Sequence, residues 1–271
     1  MIDPRALLDW YAASGVWSAE DAEPSNFYDW PDRPFRLDPP APAHEAPAPT
    51  APSIISGDEA GMPIDEAATL ARQLAAAAQS IEELDQAIRD FDGCPLKPGA
   101  RNTVVYDGVP GAPLLIIGEA PGKDEDRVGK PFVGRAGQLL DRMLAAIGTS
   151  RAPSEGQDAV CITNSIYWRP PGNRTPTKAE MTVCLPFVER FITLSAPRAI
   201  VLTGNVPTGA LYPDAPGITR ARGQWREWTP TGGHAIPVLP IFHPAFLLRQ
   251  PAQKRLAWAD LLAVKDRMSV H

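Results

Sequence analysis

Four short apolar runs limit what this chain can fold into. They are "LLIIG" (114–118), "AVCITN" (159–164), "AIVLTG" (199–204) and "IPVLPIFHP" (236–244). None alternates polar with apolar residues over its length. Each therefore reads as a strand buried on both faces, which occurs in parallel sheets covered by helices on either side. Helical patterns separate the runs. Residues 65–90 predict one or two Ala-rich helices, and 135–147 another. A helix over 177–194 opens on Thr177, with Glu180 three residues later to complete a capping box. A short helix ends at Leu211, and a last one covers 252–267. Alternating strands and helices predict a three-layer α/β/α fold around a central, mainly parallel four-stranded sheet. Such sheets bind ligands outside the carboxyl ends of their strands. Those ends are Glu119, Asn164, Gly204 and His243.

Composition matters for where the domain begins. The chain of 271 residues has a formal net charge of -6, but the charge is divided unevenly. Residues 1–60 carry 11 acidic and 3 basic side chains, a net of −8. Residues 61–271 carry 21 acidic and 23 basic ones, a net of +2. The larger part is near neutral, so local patches decide what it binds. The stretch "DPPAPAHEAPAPTAPS" (38–53) is Pro- and Ala-rich, with almost no core-forming side chains, and predicts an extended linker. Three parts follow: an acidic segment 1–37, a linker 38–60 and a domain 61–271. In the first, Leu7, Leu8, Trp10 and Tyr11 fall at near-helical spacing. That short amphipathic helix can dock on the domain or serve a protein partner. Three cysteines without close spacing argue against a disulfide framework and for a reducing compartment. The acidic start is unlike a signal peptide, and no apolar run nears the roughly 20 residues of a membrane span. The expectation is a cytoplasmic monomer that does not engage membrane.

The first run leads into "GEAPGKDEDRVGKPFVGRAGQLL", in which four carboxylates (Glu119, Asp124, Glu125, Asp126) crowd one turn. A nucleotide-phosphate loop is excluded. Only three residues separate Gly118 from Gly122, and Asp rather than Ser or Thr follows Lys123.

Together with "ITNSIYWRPPGNRTPTKAEM" and "HPAFLLRQP", this block resembles the signature blocks of the family-four uracil-DNA glycosylases. The resemblance covers roughly residues 85–268. It implies an enzyme that flips uracil out of DNA, hydrolyses the bond joining it to deoxyribose and leaves an abasic site. Flipping has a cost of about a few kcal/mol, so the pocket must hold the base well. Phe132 offers a stacking face. Gly118 and Glu119 lie at the first strand's end, where the base would sit. The Asn164 carboxamide combines a donor with an acceptor, which suits O4 and N3 of uracil and mismatches cytosine. His243 is the one histidine of four that ends an apolar strand. It can donate to O2, where charge develops as the base leaves. Glu119 and Glu125 match acidic positions with functional roles, and Asn173 matches a candidate water-holding group. Water activation is left between Asn173 and Glu125.

DNA contacts are expected from other positions. Gly134 and Gly137 open a helix whose amides suit a phosphate, with Arg135 beside them. Arg174, Arg249 and Lys254 are candidate phosphate contacts. "HPAFLLR" resembles a loop that drives an apolar wedge into the minor groove, which assigns Leu247, with Phe246 or Leu248, to the space of the flipped nucleotide.

The family usually holds an iron–sulfur cluster on four cysteines. Here Cys94 and Cys184 match two of those positions, while Phe91 and Trp168 occupy the other two. The expectation from this departure is no metal and no cofactor, with the two aromatics filling the cluster's volume. A monofunctional glycosylase acting on uracil-containing DNA is the leading reading. A non-catalytic sensor of uracil or abasic DNA, and a hydrolase of free nucleosides, are the alternatives.

Overall fold

The computed structural model describes residues 62–231 and 233–269. The expected N-terminal helix and the Pro/Ala-rich linker lie outside the described residues. Two helices come first, α1 (Ile64–Ala77) and α2 (Ile81–Asp90). The break between them falls at Ser80, whose side chain caps α2 by accepting from the Glu83 N–H. Next are β1 (Tyr106–Gly108), β2 (Leu114–Gly118), α3 (Lys123–Val128), α4 (Arg135–Ala146), β3 (Thr149–Ser150) and β4 (Asp158–Asn164). Then follow α5 (Lys178–Ser195), β5 (Ala199–Thr203), α6 (Asn205–Leu211), α7 (Ile218–Ala221), β6 (Arg226–Trp228) and β7 (Ile236–Ile241). The last helices are α8 (Pro244–Arg249) and α9 (Lys254–Ser269). The capping box at Thr177 and Glu180 opens α5 as expected.

The sheet has seven strands rather than the expected four. Its order is β1-β4-β2-β5-β7-β6, with β3 beside β4. The four expected strands form its parallel centre; β1 and β6 flank them antiparallel, and β3 extends β4 in parallel. The additional strands are two or three residues long and too short to show a periodicity.

The centre explains the three layers. Strand side chains alternate between the two faces. Leu115, Ile117, Cys161, Ile200, Leu202 and Val238 pack under α1, α2 and α5. Their neighbours Leu114, Ile116, Val160, Ile162, Val201, Leu239 and Ile241 pack under α4 and α9. Cys161 is thus a core residue, and burial pushes its thiol up to about 12. The parallel strands run in register, with Gly118 opposite Asn164 and Thr203 opposite Ile241. Their carboxyl ends therefore open on one side.

Candidate active site

An open cleft of about 950 Å³ lies at those ends. Glu119, Glu125, Phe132, Asn164, Asn173 and His243 all line it, as do Gly134, Arg135, Arg174, Phe246 and Arg249. Strand register brings Glu119 and His243 together although they lie 124 positions apart.

Asn164 ends β4 and is 2% exposed. Its carboxamide opens onto the cleft and makes no hydrogen bond to another described residue. Gly118 makes room for it. A Cβ there would lie 2.3 Å from Asn164 Oδ1 and 2.5 Å from the Phe132 ring. Gly118 is therefore the floor that lets amide and ring approach each other, and does not itself line the cleft.

Phe132 adopts φ 53, an uncommon backbone state for an aromatic residue, at a cost of about 1–3 kcal/mol. Its surroundings impose that state. Gly137 of α4 lies against its carbonyl, and a Cβ at 137 would be 1.8 Å from that oxygen. The guanidinium of Arg151 donates to the carbonyls of Pro131 (2.9 Å) and Phe132 (3.0 Å). The Phe132 ring stacks beside the His243 imidazole with centroids 5.6 Å apart.

His243 follows β7 and caps α8. Pro244 has no N–H to give, so Ala245 N–H donates to His243 Nδ1 at 3.1 Å. Nε2 is left as the protonated nitrogen. Burial, aided by the Arg249 charge, pushes the imidazole pKa down to about 4. At neutral pH the ring is an uncharged donor of fixed tautomer.

The four carboxylates of the acidic turn differ in what they hold. Glu125 Oε1 accepts from the N–H groups of Val133 (3.0 Å) and Gly134 (2.9 Å), and Oε2 from Gly122 (3.1 Å). Asp126 Oδ1 accepts from the N–H groups of Arg101 and Asn102. Asp124 is exposed beside Arg127. Glu119 faces the cleft without a hydrogen-bond partner among the described residues, and burial raises its pKa above the usual value. Glu125, on the cleft wall, thus engages its carboxylate with three N–H groups of its own loop. Asn173 lies exposed at the rim with φ 55, and its Oδ1 accepts from Arg169 Nε at 2.7 Å.

Several expected DNA contacts are corrected. Leu247 is fully buried among α4 and α9 side chains, because α8 turns positions 244 and 247 inward. It cannot serve as a wedge in this conformation. Leu248 is half-buried against the same core, and Phe246 is the apolar side chain of α8 that faces the cleft. Lys254 is 3% exposed, so its ammonium is not on the surface that phosphate would touch. The Gly134 N–H is already taken by Glu125, and Gly137 is buried. Arg174 lines the cleft with its guanidinium bound to both oxygens of Glu180, at 2.6 and 2.9 Å, and it holds that carboxyl below the usual range. Arg135 and Arg249 are exposed at the cleft.

Sequence reasoning missed Lys123, Asn205 and Thr219 on the cleft wall, and Arg151 behind it. Asn205 directly follows the strand-end residue Gly204, a signal that was available. Its Oδ1 accepts from the Ile218 N–H at 2.7 Å and ties α6 to α7. Arg151 carries no local signal, since it acts on residues 19 and 20 positions away.

Residues 105–262 match the model of the uracil DNA glycosylase superfamily. The type-4 uracil-DNA glycosylase of Sulfurisphaera tokodaii is 34% identical over 69% of this chain and 84% of its own length. That of Pyrobaculum aerophilum is 35% identical over 67% and 91%, and that of Thermotoga maritima 34% over 69% and 93%. These relatives overturn the expectation of no cofactor, since theirs is the family in which an iron–sulfur cluster is usual. Around the matching positions this chain offers two free, buried thiols, Cys94 and Cys184. Phe91 and Trp168 are buried in the same core cluster. Two thiols do not make the four-thiolate set of such a cluster. Motif order, strand-end geometry and coverage by these relatives agree: the chain belongs to the uracil DNA glycosylase superfamily, as a family-four-like member.

Proposed function

We propose that this chain excises uracil from DNA as a monofunctional glycosylase in base excision repair, using the strand-end cleft as its base pocket. The observation that carries this reading is the Asn164 carboxamide, buried, without a protein partner and set beside Phe132 and His243. Uracil supplies what that group lacks: a donor at N3 and an acceptor at O4. Cytosine reverses both, so a fixed amide would face donor with donor, and a mispaired buried group is costly.

The base stacks against Phe132. His243 Nε2–H donates to O2, where negative charge grows as the glycosidic bond opens, and the ring need not change protonation to do so. One such preorganised donor contributes about 3–4 kcal/mol in the transition state. Glu119, ionised, faces the developing sugar cation and orients water with help from Asn173. Glu125 acts through the loop, holding the chain before α4 in place. Arg135 and Arg249 meet phosphates at the rim, and Phe246 fills the gap left by the flipped nucleotide.

In this reading the protein acts on DNA as a monomer. No described helix is long and apolar enough to cross a membrane. We place the protein in the bacterial cytosol, with residues 61–271 as the catalytic domain and the segment before the linker as a site for a protein partner. A time course of alkali-labile cleavage at a single uracil in an oligonucleotide tests the activity; an intact strand after prolonged incubation would leave the sensor and the nucleoside-hydrolase readings.

A further inference from the structure

Arg151 makes more contacts than its position in a surface turn after β3 would require. Its Nε donates to Asp141 Oδ1 of α4 at 2.8 Å. Its Nη1 reaches Asp107 Oδ2 of β1 at 3.1 Å and the Pro131 carbonyl at 2.9 Å. Its Nη2 donates to the Phe132 carbonyl at 3.0 Å. The side chain is only 14% exposed. A guanidinium is a planar fork of fixed geometry, so anchoring it on two carboxylates also fixes where its remaining N–H bonds point. Here they meet two consecutive carbonyls of the turn that holds Phe132 at positive φ. Asp107 is itself held by Lys130 at 2.9 Å, which makes the anchor an ion-pair network rather than one contact.

We propose that Arg151 is a positioning residue for base recognition: braced on Asp107 and Asp141, it locks the Pro131–Phe132 turn and so sets how tightly the pocket holds the flipped base. This rests on Phe132 being the stacking platform. The guanidinium lies behind the turn and touches carbonyls, not the cleft. Its contribution belongs to affinity for the base and not to the grip on the DNA backbone.

The test compares Arg151→Ala, Arg151→Lys, Phe132→Ala and the Arg151→Ala/Phe132→Ala double variant of the full chain. The readouts are inhibition by free uracil, affinity for abasic-site DNA and thermal unfolding. Arg151→Ala is expected to weaken free-uracil inhibition about tenfold, in line with one partly lost base–aromatic stack, while abasic-DNA affinity changes less than about twofold. Lys keeps the charge but not the fork and should rescue little. Phe132→Ala should weaken uracil at least as much, and the double variant should add nothing to it, because both act through one ring. Full additivity would overturn the proposal, as would an unchanged uracil affinity in Arg151→Ala. Unchanged uracil affinity in Phe132→Ala alone would instead remove the platform, and the proposal with it. If Arg151→Ala does not fold, Asp141→Asn takes its place, since that carboxylate is 48% exposed and holds only one edge of the fork. A smaller loss of uracil affinity with intact abasic-DNA binding supports the proposal, and no loss refutes it.

Discussion

The turn after β2 and the turn after β7 both carry the chain from a central strand into a helix at the same cleft, yet they use their residues in opposite ways. After β2 the polar side chains turn inward to backbone N–H groups of their own loop and of the loop before β1. Glu125 holds three N–H groups and Asp126 two, whereas Glu119 faces the cleft with its carboxylate uncommitted among the described residues. After β7 the apolar side chain turns inward. Leu247 enters the core, and His243, Phe246 and Arg249 are left facing outward. A group that satisfies its own loop is not free for a substrate, whatever its chemistry suggests. Residue type therefore says less about function than what each side chain already touches.

The largest effect that can break this comparison is at His243. His243→Ala should slow single-turnover excision about 10²–10³-fold while DNA affinity changes little, because the lost donor acts mainly in the transition state. Equal losses in rate and binding would make it a simple base contact. Glu119→Gln should follow at about 10²-fold, with a diagnostic pH profile. Burial raises the Glu119 pKa, so excision should fall as pH drops through that raised value, and the Gln variant should lose this limb. His243, already neutral above about 4, should add no inflection near its ordinary value of 6.5.

The two apolar residues of α8 separate stability from function. Leu247→Ala should destabilise the fold by about 2–5 kcal/mol in denaturant unfolding, and excision per folded molecule should change little. Phe246→Ala should do the reverse, slowing flipping with a smaller loss of stability, since its ring is only half-buried beside Phe242. If Leu247→Ala abolishes excision in a stable protein, the helix must rotate on DNA and the wedge belongs to Leu247 after all. The smallest effect is at Arg249. Arg249→Ala should weaken DNA binding evenly across sequences and make the salt dependence shallower by about one unit of slope.

What the sequence made legible follows the same division. The four central strands were readable because burial on both faces removes polar residues from them. The strand-end residues Glu119, Asn164 and His243 were readable because parallel topology leaves only one place for a cleft. The edge strands Tyr106–Gly108 and Arg226–Trp228 were not, since three residues cannot show alternation. The inward phase of Leu247 was hidden because a six-residue helix gives too few turns to fix a buried stripe. Arg151 was hidden because its partners lie on β1, α4 and the Phe132 turn, which meet only in the folded molecule.

The backbone N–H that Ala245 directs at His243 has a consequence in time rather than in strength. An imidazole already accepting at one nitrogen, with its pKa lowered to about 4, passes no hydrogen nucleus along at neutral pH. It acts as a stationary dipole. On the mechanism proposed above, bond rupture is then a separation of charge with nothing light in flight, and the base departs as an anion that collects its hydrogen from bulk water afterwards. Replacing the solvent with heavy water should leave the cleavage step nearly unchanged, whereas a pocket that relayed protons would slow.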